Sequence, residues 1–83
     1  MKTPIFSVRD NKLNSYARPI TCSEVDMVRT MVVTVNDKEN NISHFPEDFT
    51  VYKIGEFDDS TGIITTMEPE YWHGATEFKR DKK

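Results

Sequence analysis

The segment from His44 to Ile64, HFPEDFTVYKIGEFDDSTGII, constrains the fold of this chain more than any other part. From Phe49 to Asp58, apolar residues occur at both odd and even positions, which is typical of a strand that carries apolar groups on both faces. The following DSTG stretch predicts a hairpin tip, because Gly62 can take a positive φ. Residues Ile63 to Met67 would form the return strand, and Pro69 would end it. The segment therefore predicts antiparallel sheet.

The N-terminal residues predict a second hairpin. Thr3 to Arg9 has the apolar alternation of a strand, and the turn-forming sequence Asp-Asn-Lys follows it. Tyr16 to Ile20 would return as its partner. Pro19 cannot donate a hydrogen bond to a neighbouring strand, so this second strand should lie at a sheet edge or end there.

A helix is predicted between the two hairpins. Thr21 and Glu24 have the spacing of a capping box, and Ser23 with Asp26 gives a second cap. The run MVVTV would also suit a strand, because β-branched residues favour extended structure. We favour the helix because a cap precedes apolar residues at helical spacing and because Asn36-Asp37 follows the last of them. These apolar residues are Val25, Val28, Val32 and Val35, with Met31 beside them.

These elements predict an α+β fold of order ββαββ, in which one helix packs on a face of a small antiparallel sheet. The segment between the helix and Phe49 should be a loop with a short helical turn at Pro46-Glu47-Asp48. We expect a single domain over residues 1–67 and a partly flexible C-terminal tail over 68–83. A homodimer is expected, because open sheet edges and a small core both gain from burial.

Length and composition restrict the class of protein. The chain has 83 residues, near the size at which one core supplies only about 3–5 kcal/mol. Cys22 is the single cysteine, which excludes an internal disulfide and a thiolate-rich zinc site. The sequence shows no signal peptide and no transmembrane stretch. We therefore expect a protein of the cytoplasm that does not contact a membrane.

The net charge of −3 is unevenly distributed. Residues 1–30 and 71–83 each carry +2, whereas residues 31–70 carry −7. The acidic middle argues against tight, indiscriminate binding to polyanions, but a local basic surface can still bind one.

The sequence gives little support for catalysis or for metal binding. The sequence has no phosphate-binding glycine loop, no paired histidine or cysteine motif and no nucleophile elbow. A pair of Cys22 with either histidine is much less common than a structural thiol. The acids Glu56, Asp58 and Asp59 do not have the spacing of a calcium loop. We therefore expect neither an enzyme, nor a metal site, nor a cofactor.

Aromatic and basic residues adjoin each other at several positions, as they do in proteins that bind single-stranded nucleic acid. Tyr16 alternates with Arg18, and Tyr52 precedes Lys53. Near the C-terminus, aromatic residues precede a basic run. The alternative is that these rings fill the core of a small protein while the charges keep it in solution, and pattern alone favours that alternative.

The chain resembles the small nonstructural protein of gokushovirus-type microviruses, which are tailless phages with single-stranded DNA genomes. The resemblance rests on IFSVRDNKLNSYARPI, on the helix that ends in Val-Asn-Asp, on HFPEDF and on YKIGEFDDSTG, over about residues 4 to 66. The family pattern has proline directly after the histidine, whereas Phe45 intervenes here.

The resemblance implies a phage protein that acts in the cytoplasm of the infected bacterium and binds single-stranded DNA during genome replication or packaging. The adjacency of basic and aromatic residues gives the candidate contacts. Those for phosphates are Arg9, Arg18, Lys53, Lys79 and Arg80, and those for bases are Tyr16, Tyr52 and Trp72. The alternative is a protein–protein adaptor that binds phage replication or scaffolding proteins, or a host factor, through the acidic segment from Asp37 to Asp59.

Overall fold

An antiparallel sheet forms the framework of the chain in a computed structural model, which describes residues 1–80. The strands are β1 (Lys2–Asp10), β2 (Ser15–Tyr16), β3 (Ile20–Thr21), β4 (Phe49–Asp58) and β5 (Ile63–Gly74). The central strand β1 pairs with β4 on one side and with two short strands on the other, giving the order β2-β1-β4-β5 with β3 also on β1. With one main helix on one face, the predicted α+β class is confirmed.

The predicted second strand is divided into β2 and β3. Ala17 still donates a hydrogen bond from its backbone N–H to the Val8 carbonyl at 2.8 Å. Pro19 then interrupts the pairing, because it has no N–H, and pairing with β1 resumes at Ile20. The prediction of an edge position is therefore correct, although the strand is not continuous.

The helix α1 (Glu24–Val35) confirms the helical interpretation of the ambiguous valine-rich run. Its N-cap is Ser23, whose side chain accepts a hydrogen bond from the backbone N–H of Asp26. The second of the two predicted caps is therefore the one formed. No helix in residues 1–80 is long and apolar enough to span a bilayer.

The core lies between α1 and the sheet. The helix buries Met27, Met31 and Val35, whereas Val25 is 61% exposed. The predicted valine stripe was therefore wrong for most of its length, because the buried face is set by the i, i+4, i+8 row that ends at Val35. The sheet residues of this core are Phe6, Val8 and Val51, with Ala75 next to them.

The predicted loop after α1 contains a second short helix, α2 (Asn41–His44), which the sequence analysis missed. Asn40 caps it by accepting a hydrogen bond from the Ile42 N–H at 2.8 Å. The predicted helical turn at Pro46–Asp48 is present as a 3-10 turn. This region packs beside the end of α1.

The predicted end of the last strand at Met67 was wrong. Strand β5 continues to Gly74, and its pairing with β4 includes Lys53 opposite Glu70. Pro69 is tolerated because β5 is an edge strand, so a missing N–H can face solvent. A 3-10 turn, Ala75–Phe78, then packs against α1. The domain limit at residue 67 stays a prediction, and residues 81–83 of the predicted tail lie outside the described residues.

Candidate nucleic-acid interface

Three tyrosines from three strands form a row across the sheet. Tyr16 lies on β2, Tyr52 on β4 and Tyr71 on β5. The ring centroids of Tyr16 and Tyr52 are 5.6 Å apart, and those of Tyr52 and Tyr71 are 6.4 Å apart, both in edge-to-face geometry. We call these three residues the tyrosine row.

The tyrosine row lies on the sheet face opposite α1. Side chains alternate between the two faces of a strand, and Val51 is buried in the core beneath the helix. Its neighbour Tyr52 therefore points to the other face. Tyr16 is 43% exposed and Tyr71 is 59% exposed, while Tyr52 is half-buried between them. Two outer rings are thus accessible to a ligand, and the central ring supports them.

Arg9 supplies a positive charge at one end of the row. Its guanidinium carbon lies 5.6 Å from the centroid of the Tyr16 ring, in the range of a cation–π contact. The guanidinium also donates to the side-chain oxygens of Asn11 at 2.7 Å and Asn14 at 3.0 Å. These partners are neutral, and no carboxylate within residues 1–80 forms a salt bridge with Arg9. Its charge therefore remains available to an anion.

The turn between β1 and β2 holds Arg9 in this position. The Asp10 carboxylate accepts hydrogen bonds from the backbone N–H groups of Lys12 and Leu13, which closes the turn. Asn14 takes a φ of 56°, a left-handed conformation that asparagine tolerates better than most residues. These polar residues give the guanidinium two fixed acceptors.

A hydrogen-bonded cluster fixes the other end of the row. The Tyr71 hydroxyl donates to Glu77 at 2.9 Å and accepts from the Gly74 N–H at 3.0 Å. Glu77 also contacts Nδ1 of His73 at 2.6 Å. The Gly74 N–H, the Tyr71 hydroxyl and His73 all lower the pKa of Glu77, and the hydrogen bond to Glu77 raises the pKa of Tyr71. Tyr71 is thus held as a neutral phenol against an ionised carboxylate.

Three of the predicted contact residues have their side chains engaged elsewhere. Trp72 is partly buried and packs against the core, with its ring centroid 4.7 Å from that of Phe6. Lys53 forms a salt bridge with Glu24 at 3.0 Å on the helix side of the sheet. Lys79 donates from Nζ to the carbonyl oxygen of Val35, the last residue of α1, and to that of Ser43 in α2. The structure does not bring these side chains to the tyrosine row.

Two other predicted contacts are exposed but separate from the row. Arg18 lies in the irregular segment between β2 and β3. Arg80 follows the last 3-10 turn, where its backbone N–H donates to the Asn36 side chain. Within residues 1–80, neither guanidinium has a cation–π contact with a tyrosine. Of the eight predicted residues, the structure brings together Arg9, Tyr16 and Tyr52.

Sequence reasoning missed Tyr71 as a member of the row. The predicted strand ended before it, and Trp72 was chosen as the exposed ring instead. A signal was present, because two adjacent aromatic residues in one strand must point to opposite faces. One of the pair had to lie away from the core.

The other chemistry considered from the sequence has ordinary structural roles. Cys22 contacts the sulfur of Met27 at 3.9 Å, and burial raises the pKa of its thiol, so it is a poor nucleophile. Asp58 accepts hydrogen bonds from Ser60, which lower its pKa, and Asp59 contacts the N-terminal amine. Residues 1–80 contain no group of three or more His, Cys, Asp or Glu side chains placed to hold a metal ion.

Comparison with known proteins gives one match, to a family model. The model is described as Phage ORF5 protein, and it matches residues 3–78. No curated protein and no solved structure matches the chain significantly. The match extends from the first strand through the last 3-10 turn, and therefore includes the tyrosine row and Arg9. The chain thus belongs to the Phage ORF5 protein family and is a bacteriophage protein.

Proposed function

We propose that this phage protein binds single-stranded DNA and assists genome replication or packaging in the infected bacterium. The observation that carries the proposal is the tyrosine row on the helix-free face of the sheet, with the unneutralised Arg9 at its end. The sequence resemblance to the nonstructural proteins of gokushovirus-type microviruses supports the same reading, since those phages have single-stranded DNA genomes.

The chemistry of the site suits flexible single strands. Unpaired bases can stack on the exposed rings of Tyr16 and Tyr71, and each base stacked on an aromatic ring contributes about 1–3 kcal/mol. Arg9 would bind a phosphate beside Tyr16 by charge-assisted hydrogen bonds. Stacking of this kind tolerates any base, so we expect little sequence selectivity.

Charge limits the affinity that we expect. Arg9 is the cation that touches the tyrosine row, whereas Lys53 is already neutralised by Glu24. The molecule as a whole carries −3. We therefore expect a dissociation constant in the micromolar range or weaker, about 10⁻⁴–10⁻⁶ M. Salt dependence should be shallow, at about −0.7 in log–log slope for each phosphate contacted.

Fluorescence polarisation with a labelled oligothymidylate tests the stacking. The Tyr16→Leu and Tyr71→Leu variants keep apolar bulk but remove the flat ring. Each should weaken binding about 5- to 150-fold, which corresponds to about 1–3 kcal/mol. The matched control is Phe45→Leu, because Phe45 is a 55% exposed ring outside the tyrosine row. It should leave the affinity unchanged.

A second pair of variants tests the phosphate contact. Arg9→Lys keeps the charge and should keep the salt slope, whereas Arg9→Gln should reduce the slope by about 0.7. Absence of binding at low salt would refute the proposal and favour the adaptor alternative. Equal losses in the tyrosine variants and in Phe45→Leu would show that binding does not use the row.

A further inference from the structure

The outer edge of β5 is long, exposed and uncharged at its beginning. Residues 63–71 of this strand are all exposed, and Ile63 and Ile64 are each 60% exposed. The five residues from Ile63 to Met67, IITTM, include four β-branched residues and no charge. Within residues 1–80, no strand pairs with this edge.

Such an edge is unusual for a chain that stays monomeric. Exposed edge strands normally carry a lysine, a proline or a bulge that prevents pairing with another chain. The opposite edge of this sheet is interrupted at Pro19. On β5 the irregular pairing with β4 covers Met67 to Pro69, so the bulge and the proline both lie at the far end of the uncharged stretch. The stretch therefore retains its free backbone donors and acceptors.

We propose that two copies of this chain pair through the Ile63–Met67 edges of β5, antiparallel and with Thr65 on the two-fold axis. This register places Ile63 opposite Met67 of the other copy, and Ile64 opposite Thr66. Directly opposite side chains share a face, so Ile63 would contact Met67 and Ile64 would contact Thr66 across the two strands, where such pairs stabilise a sheet.

Charge favours a centre within the uncharged stretch over one further along β5. Glu68 lies opposite Gly62 of the other copy when Thr65 is central. A centre near Pro69 would instead place the carboxylates of Glu68 and Glu70 against each other, and like charges directly opposite are destabilising. A two-fold edge contact is also closed, so it gives a dimer and not a fibre.

The dimer would join two tyrosine rows on one surface. A two-fold axis perpendicular to the sheet keeps equivalent faces on the same side. The two Tyr71 residues would lie twelve strand positions apart, about 40 Å at 3.4 Å per residue. The β5 edge is a different surface from the tyrosine row, so dimerisation and DNA binding can each fail without the other.

Sedimentation velocity over a range of protein concentrations tests the dimer. The paired stretch is short, so we expect reversible, concentration-dependent association of the kind seen for small interfaces. Thr65→Lys places two like charges on the axis and should give a monomer. Thr30→Lys makes the same change at an exposed position on α1 and should leave the association unchanged. Circular dichroism of both variants checks that they fold.

Cross-linking tests the register. Residues directly opposite in antiparallel strands have Cα atoms about 4.5–5.5 Å apart, within the range that a disulfide spans. In a Cys22→Ser background, Thr65→Cys should form a disulfide-linked dimer under mild oxidation, whereas Ile63→Cys should not. A mixture of the Ile63→Cys and Met67→Cys chains should cross-link. A wild-type chain that stays monomeric, or a dimer that survives Thr65→Lys, would overturn the proposal.

Discussion

Gly55 is the position at which one methyl group should perturb this sheet most. It lies in β4 opposite Thr66 of β5, next to an irregularity in the pairing of these strands. A Cβ atom built on Gly55 would lie 2.5 Å from the backbone carbonyl oxygen of Thr65. Contacts below 3.0 Å essentially never occur for real Cβ atoms, so the Gly55→Ala variant requires a movement of backbone.

The magnitude follows from this geometry. The carbonyl must move by at least about 0.5 Å, a tenth of the 4.7–4.9 Å spacing between strands. Forcing an extra methyl into a filled site costs about 1–3 kcal/mol. Replacing glycine also lowers the conformational entropy of the unfolded chain, which offsets about 0.4–1 kcal/mol of this cost. We therefore expect Gly55→Ala to lower the free energy of unfolding by about 1–2 kcal/mol.

Urea unfolding measures this loss, with Gly74→Ala as the matched control. Gly74 is in the same sheet, but its nearest heavy atom to a built Cβ is 3.7 Å away, an ordinary contact. Its φ of −78° suits alanine. At about 1 kcal/mol per molar urea, the midpoint of Gly55→Ala should fall by about 1–2 M, while that of Gly74→Ala should hold or rise. Equal midpoints for the two variants would refute the close approach of β4 and β5.

Two further predictions concern residues at the C-terminal end of the described chain. The pKa of Glu77 is lowered in the fold, so its contribution to stability should be present above its ordinary pKa of about 4.5 and be lost as the pH falls through the lowered value. In Glu77→Gln, the urea midpoint should fall less at low pH than it does in the wild type. An equal fall in both proteins would contradict the role of Glu77. Lys79→Ala should cost about 1 kcal/mol in urea unfolding, because Nζ caps the carbonyl of Val35, and should leave the DNA affinity unchanged. A loss of affinity with unchanged stability would restore Lys79 as a phosphate contact.

The sequence was sufficient for those elements in which local signals agree. In Phe49–Asp58 and its glycine-containing tip the strand residues and the turn residues agree, and the predicted boundaries are correct. The helix was predicted despite its β-branched run, because a serine cap and a terminal asparagine enclosed it. The valine stripe failed because several apolar rows coexist on this helix. Only the packing against the sheet decides which row is buried.

Pairing irregularities help to explain why Tyr71 was missed. The register of β4 with β5 shifts between Val51 and Tyr52 and again between Lys53 and Gly55. Each shift changes which β5 residue shares a face with a given β4 residue, and a pattern of alternating residues does not reveal such shifts. Tyr52 meets Tyr71 for this reason.

The same register shifts decide which side chains lie on each face of the sheet. Trp72 takes the helix side, where a small core gains most from its area. Tyr71 is left on the open side, where its hydroxyl has Glu77 as a partner. Exchanging the two residues would bury a hydroxyl without that acceptor and expose the larger apolar ring. The adjacent pair therefore has one order that satisfies both the core and the tyrosine row, and the DNA-binding proposal depends on that order.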